Sequence, residues 1–227
     1  MDMKEAMRKR HTVRKYVDKA IPVEMVKLMN QRIAENNSKY NLYIHLVTND
    51  RFAFVVLAKL ILAKGVKNYI VLSGPDEKEL DNKLGYCAAD LMLYAQTLGL
   101  NTWYVGSTYN KKSVSEKAGK GRAIGIVAIG YGATQGVAHK SKKASDVSRY
   151  QGDEPDWFKN GVEAALLAPT ALNKQAFYIE GKGNKVNITC NNGIFAGADL
   201  GIVKYHFELG AGIENFEWVT NTNQGGR

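Results

Sequence analysis

Apolar residues in the first part of the chain recur at helical spacing. A short charged helix at 2–9 is followed by an extended stretch to about Tyr16. Pro22 then opens a segment in which Met25, Val26, Met29 and Ile33 fall one turn apart. This predicts a helix over 23–36 that leads through Asn37 into a strand from Asn41 to Thr48. The apolar run at 52–64 reads as a buried helix, interrupted by Lys59 and too short to span a bilayer. Tyr69 to Ser73 reads as a strand, and 77–98 as a long helix closed by Gly99, where a left-handed cap favours glycine. Leu100 to Val105 and Ala123 to Ile129 are strands, the second apolar on both faces, as a central strand is.

From 133 to 154 the chain turns polar and basic and reads as a connector. A helix at 156–168, strands near 175–180 and 185–190, and a helix at 197–209 follow. The polar, glycine-rich tail 220–227 is expected to be mobile. Strands and helices interleaved in irregular proportion predict an α+β fold, with a mixed, mainly antiparallel sheet and surrounding helices. The expected division is a first part at 1–150, a shorter second part at 151–219, and the tail. Helix 23–36 with its strand at Tyr43-Ile44, and helix 156–168 with its strand at Phe177-Tyr178-Ile179, share one order: helix, polar turn, aromatic-bearing strand. This is a topological hint of internal duplication.

Composition narrows the classes. The 227 residues are 45% hydrophobic and 23% charged, ordinary for a globular protein and enough for a sizeable core. Two cysteines, Cys87 and Cys190, cannot build a disulfide framework or a four-thiolate zinc site, and with no secretory signal they point to the cytoplasm. The net charge of +9 raises nucleic acid as a partner. No aromatic RNA-binding signature, Cys/His finger or basic zipper accompanies it, so the lysines read as solvated faces, with a phosphorylated small ligand open. No membrane partner and no metal site are expected.

Two stretches carry candidate chemistry. In an extended Arg10-His11-Thr12-Val13-Arg14, side chains two apart share a face. Arg10, Thr12 and Arg14 would then converge, and two guanidinium forks around a hydroxyl suit a phosphate. A solvated basic strand fits the same spacing. In Pro169-Thr170-Ala171-Leu172-Asn173, proline stops a helix and Thr170 and Asn173 offer polar groups in a fixed turn, able to bond the edge of a planar heterocycle or simply to connect helix to strand. Cys87, on a helix stripe with Leu91, Tyr94 and Leu98, reads as a buried structural thiol, and His206, among Val203 and Phe207, as a packed histidine.

Together these stretches resemble the FMN-dependent nitroreductases. Arg10-His11-Thr12-Val13-Arg14-Lys15-Tyr16 resembles that family's N-terminal arginine–serine–arginine signature, and Pro169 to Phe177 its proline–serine turn. Gly85 to Leu100 is similar to its long central helix, and Asn101 to Gly106 and Ala128 to Gly132 to its later strands. The turn lies far downstream of the signature, as in the branch where one chain resembles a fused dimer. The resemblance implies that Arg10, His11, Thr12 and Arg14 hold the FMN phosphate and ribityl chain, joined by the late basic pair Lys140 and Lys142. It implies that Tyr104, Val105 and Gly106 line one flavin face, and that Pro169, Thr170, Ala171 and Asn173 approach from the other part. The implied activity is ping-pong reduction of nitro compounds or other electron-poor small molecules by NADH or NADPH, with no side chain required as a catalytic acid. Reductive dehalogenation, flavin fragmentation and flavin binding without turnover use the same fold. The implied unit is a monomer built as a pseudo-dimer, free to self-associate further.

Overall fold

The computed structural model describes residues 1–50, 54 and 63–219. The helix expected at 52–64 and the tail at 220–227 fall outside or mostly outside them. The Asp2 carboxylate accepts the Glu5 N–H at 2.7 Å and caps α1 (Met3–Lys9). Helix α2 (Val23–Tyr40) buries Met29 and Ile33 as their spacing predicts. It runs past the expected end at residue 36 to Asn41, whose left-handed backbone stops it. Of the strand expected at Asn41 to Thr48, only β1 (His45–Val47) pairs. It lies at the edge of a four-stranded antiparallel sheet, in the order β1-β2-β4-β3, with β2 (Tyr69–Gly74), β3 (Asn101–Val105) and β4 (Arg122–Gly130). β2 is buried throughout, and most of β4 with it, because one face packs on α3 (Leu80–Thr97) and the other on a separate apolar cluster around Val13, Phe54 and Trp103. Gly99, at φ +77°, closes the turn after α3 as expected. Helix α4 (Lys111–Ala118) has only Val114 and Ala118 buried, too sparse a stripe to announce itself in the sequence.

The stretch read as a connector is more structured than its polarity suggests. It contains α5 (Ala144–Val147) and β5 (Ser148–Gln151), and β5 pairs in parallel with β6 (Phe177–Lys182). β6 forms a hairpin with β7 (Lys185–Cys190), and β7 pairs in parallel with the short β8 (Glu217–Trp218). Among the described residues the strands form two four-stranded sheets, one antiparallel and one mixed, where one mixed, mainly antiparallel sheet was expected. Helices α6 (Asp156–Ala165) and α7 (Ala196–Ala211) cover the second sheet, and Phe158, Phe207 and Phe216 fill its core. None of the described helices is long and apolar enough to cross a membrane.

The duplication hint has a structural counterpart. Among the described residues, α2-β1-β2-α3 and α6-β6-β7-α7 share the order helix, strand, strand, helix, each with an antiparallel strand pair. The two last helices, α3 and α7, cross at backbone contact. A Cβ on Gly85 would lie 2.1 Å from the Ala198 carbonyl oxygen, and one on Gly201 2.0 Å from that of Asn82. Gly85 and Gly201 are each the sixth residue of their helix. A buried carboxylate reinforces the crossing: Asp90 of α3 accepts from Arg32 Nε at 2.8 Å, Arg32 Nη2 at 2.6 Å, Asn36 Nδ2 at 2.8 Å and the Tyr205 hydroxyl of α7 at 2.7 Å.

Candidate functional site

The strand read as a phosphate signature is docked on both sides. Thr12 bridges Thr102 of β3 in parallel, and the Val13 N–H donates to the Thr102 carbonyl at 3.2 Å. On the other side the Val17 N–H donates to Tyr131 O and the Ala133 N–H to Lys15 O. The loop after β4 presses on the strand at Gly136, whose φ is +74° and where a Cβ would stand 2.8 Å from that of His11. Val13 is buried in the core, while Thr12 and Arg14 line a cavity, the alternation the sequence predicts. The Arg14 guanidinium lies 5.4 Å from the centre of the Trp103 ring.

The turn at 169–173 is pinned from several directions. Leu172, Asn173 and Gln175 all hold positive φ, which costs non-glycine residues and persists only where surrounding bonds demand it. The Gln175 N–H donates to Thr170 Oγ1 at 3.0 Å, and Asn173 Nδ2 to the Lys140 carbonyl at 2.8 Å. The buried Gln175 amide donates to Leu166 O at 2.8 Å and accepts the Lys142 N–H at 2.7 Å. The Ala171 N–H donates to the Asp199 carboxylate, 3.0 and 3.1 Å from its two oxygens. Burial pushes the Asp199 carboxyl up to about 6, against the pull of that N–H. No spacing or motif marks Asp199 in the sequence; only the folding of α7 against the turn brings it there.

Strand and turn face one another across a cavity of about 620 Å³. His11, Thr12 and Arg14 line it on one side, Tyr104, Val105 and Gly106 at the end of β3 on another, and Pro169, Thr170, Ala171 and Asn173 on a third. Phe195, before α7, completes the wall, and a Cβ on Gly106 would come within 2.6 Å of its ring. The volume is within the ordinary range for small-molecule sites. Three predicted residues are not in the lining. The Lys142 ammonium donates to the Gln175 carbonyl at 2.9 Å, and Lys140 offers the turn only its carbonyl. These lysines tie the loop after β4 to the turn. Arg10 departs from the Thr12 and Arg14 face because it caps α1, its N–H bonded to Ala6 O, and its side chain is buried.

Arg14 is the one permanently charged side chain in the described lining. The described lining residues include Arg14, His11 and His139, and no carboxylate. Next to His11, Arg10 Nη1 is buried without a hydrogen-bond partner among the described residues, as is His206 Nε2 on α7. Burial lowers Arg10 to about 10. It takes His206 down to about 3, with Arg10 and His139 pushing the same way. Within the lining, the Thr12 hydroxyl and the Arg14 guanidinium are donors suited to phosphate oxygens. His206 is the packed histidine the sequence predicts: burial keeps its ring neutral, Nδ1–H donates to the Ile202 carbonyl at 2.9 Å, and Nε2 is left as a bare acceptor. Cys87 is the buried thiol expected, raised to about 12 by burial.

The family model described as "Putative TM nitroreductase" matches residues 2–211. No curated protein matches the chain. Among solved structures, a "putative nitroreductase" from Thermotoga maritima is 19% identical, with a TM-score of 0.65 over 92% of this chain and 83% of that one. A "putative nitroreductase in complex with FMN" from Desulfovibrio desulfuricans is 18% identical, with a TM-score of 0.52 over 68% of this chain and 98% of that one. A "putative NAD(P)H:FMN oxidoreductase" from Staphylococcus epidermidis is 14% identical, with a TM-score of 0.51 over 64% of this chain and 94% of that one. At such identities the likeness is one of fold. The last two are covered almost whole by about two thirds of this chain, which carries structure beyond theirs. With the family model matched from residue 2 to residue 211, the chain belongs to the family described as "Putative TM nitroreductase".

Proposed function

We propose that the chain is an FMN-dependent oxidoreductase that takes reducing equivalents from NADH or NADPH and delivers them to an electron-poor small molecule, nitro compounds included. One observation carries the reading: the Arg10–Arg14 strand and the Pro169–Asn173 turn, far apart in sequence, face each other across one cavity whose described lining holds no carboxylate. Family membership supports it, as does the fold shared with a protein described as an FMN complex. FMN, when bound, supplies the redox chemistry.

The chain's own residues bind and shape. Arg14, Thr12 and His11 offer donors to a phosphate, and Arg10, next to His11 in sequence but buried outside the lining, adds positive charge and no direct bond. Tyr104, Val105 and Gly106 give a wall fixed by β3, and the pinned turn gives the facing wall. Asp199 holds the Ala171 N–H, so the turn keeps its shape before any ligand enters. Both walls come from one polypeptide, so the reading includes one FMN per chain, bound without a second copy. It includes a cytoplasmic setting, in keeping with the free thiols of Cys87 and Cys190.

An absorption spectrum of the chain mixed with FMN and desalted, followed by anaerobic addition of NADH or NADPH, tests the reading. Retained flavin bands that bleach on addition are expected. A colourless protein overturns the cofactor assignment, and flavin bands that persist under both nucleotides overturn the turnover.

A further inference from the structure

Of the three most exposed large apolar side chains among the described residues, two line the cavity and the third adjoins a lining residue in sequence. Leu172 is 86% exposed, Ile194 84% and Val137 83%. Leu172 and Val137 line the cavity, and Ile194 directly precedes the lining residue Phe195. They come from three separate segments: the loop after β4, the turn after α6 and the loop before α7. Apolar residues scattered singly over a surface need no explanation, whereas apolar residues converging on a cavity mouth mark a contact.

Leu172 is held out to solvent by the backbone. Its φ is +52°, a conformation leucine rarely takes, and its neighbours are fixed by the bonds of Asn173 to Lys140 O and of Ala171 to Asp199. The strain is maintained where relaxing it would cost nothing in the core, since this side chain packs into none of the core clusters. The Arg14 guanidinium lies on the strand wall, and Val137, Leu172 and Ile194 carry no charge.

We propose that Val137, Leu172 and Ile194 form a subsite for an apolar substituent of the electron acceptor. The acceptor class is then amphiphilic: an electron-poor ring inside the cavity, with an alkyl or aryl extension lying over the rim. This rests on the oxidoreductase reading above and adds to it which acceptors the site prefers.

The test uses the FMN-loaded full chain and alkyl 4-nitrobenzoates from methyl to hexyl. Each nitro group takes two electrons and two protons, giving nitroso and water, with NADH or NADPH as the source. Specificity, as kcat/KM, is expected to rise with every added methylene, by at most about fourfold for a fully buried one. Leu172→Asn, which keeps a residue tolerant of positive φ, and Ile194→Ser are expected to flatten that slope. Calorimetric titration of the corresponding non-reducible alkyl benzoates should show the same slope in binding, independent of turnover. A flat wild-type series overturns the proposal. So does a slope unchanged in both variants, or variants that lose FMN and keep the slope, since the rim would then be covering the cofactor. Benzoate binding that strengthens with chain length in a protein taking up no FMN supports the apolar subsite and overturns the cofactor reading instead.

Discussion

Replacing Arg10 with methionine should move stability and cofactor affinity in opposite directions. In the ligand-free chain the guanidinium is buried, and Nη1 has no partner among the described residues. Its pKa falls from 12.5 to about 10 because burial disfavours the charged form. A shift of that size corresponds to roughly 3 kcal/mol of unfavourable charge burial at neutral pH, as an upper figure. Methionine has similar length and no charge to desolvate, so Arg10→Met should stabilise the ligand-free protein by about 1–3 kcal/mol. For a chain of this size that is an increase in Tm of roughly 3–10 °C. Removing a positive charge from beside the phosphate wall, worth about 1–2 kcal/mol at an effective dielectric of about 20, should weaken FMN binding by roughly five- to thirtyfold. Thermal unfolding with and without FMN reads both effects: the ligand-free Tm rises and the FMN-induced increment shrinks. Arg8→Ala, on the exposed end of α1, should change neither. A ligand-free Arg10→Met variant less stable than wild type, with FMN affinity intact, would refute the reasoning, because the guanidinium would then be paired inside the protein.

Asp199→Asn should remove a pH dependence: the folded carboxyl is raised from 3.8 to about 6, so its contribution is most favourable below pH 4 and is lost as pH rises through 6. Urea unfolding should show the variant gaining about 1–3 kcal/mol over wild type at pH 8 relative to pH 4, and parallel profiles would count against it. Asp90→Ala should destabilise by about 3–5 kcal/mol, since Arg32 loses its bidentate partner and Tyr205 its acceptor, and equilibrium unfolding within 1 kcal/mol of wild type would contradict the network. Native mass spectrometry should find one FMN per chain in the monomer; two per chain, or flavin only in a dimer, would overturn the single-chain site.

Elements with a strong local signature were legible before folding. α3 with its Gly99 cap, β2, β4, β6 and β7 fall close to their predicted places, because burial on two faces or clean alternation writes itself into the sequence. β5 was not legible, since its pattern is half polar and its partner strand begins twenty-six residues after it ends. Thr12, Arg14 and the Pro169–Asn173 turn stand out by spacing and by the family resemblance, while the bonds that hold them across the cavity come from distant segments. Asp199, His206 and the true place of Arg10 depend on how α1 and α7 pack, which no local pattern encodes. The resemblance to the family's late basic pair puts Lys140 and Lys142 at the phosphate, while the structure uses a carbonyl and an ammonium to brace the turn.

The crossing of α3 and α7 has a consequence for how such a protein can change. Lys83 is the fourth residue of α3 and Asp199 the fourth residue of α7, so the two occupy matching positions. Asp199 props the turn at the cavity, while Lys83 reaches Glu77 at the surface, 2.6 Å away. In a symmetric pair of identical subunits every substitution is made twice, and a residue has to serve both copies at once. Joined in one chain, each position mutates alone, so one partner can keep the ligand's side of the bargain while its counterpart drifts toward solubility. The glycines that let the helices touch are what must be kept in both: Gly85 and Gly201 each meet the backbone of the opposite helix, so neither side of that contact is free to take a side chain.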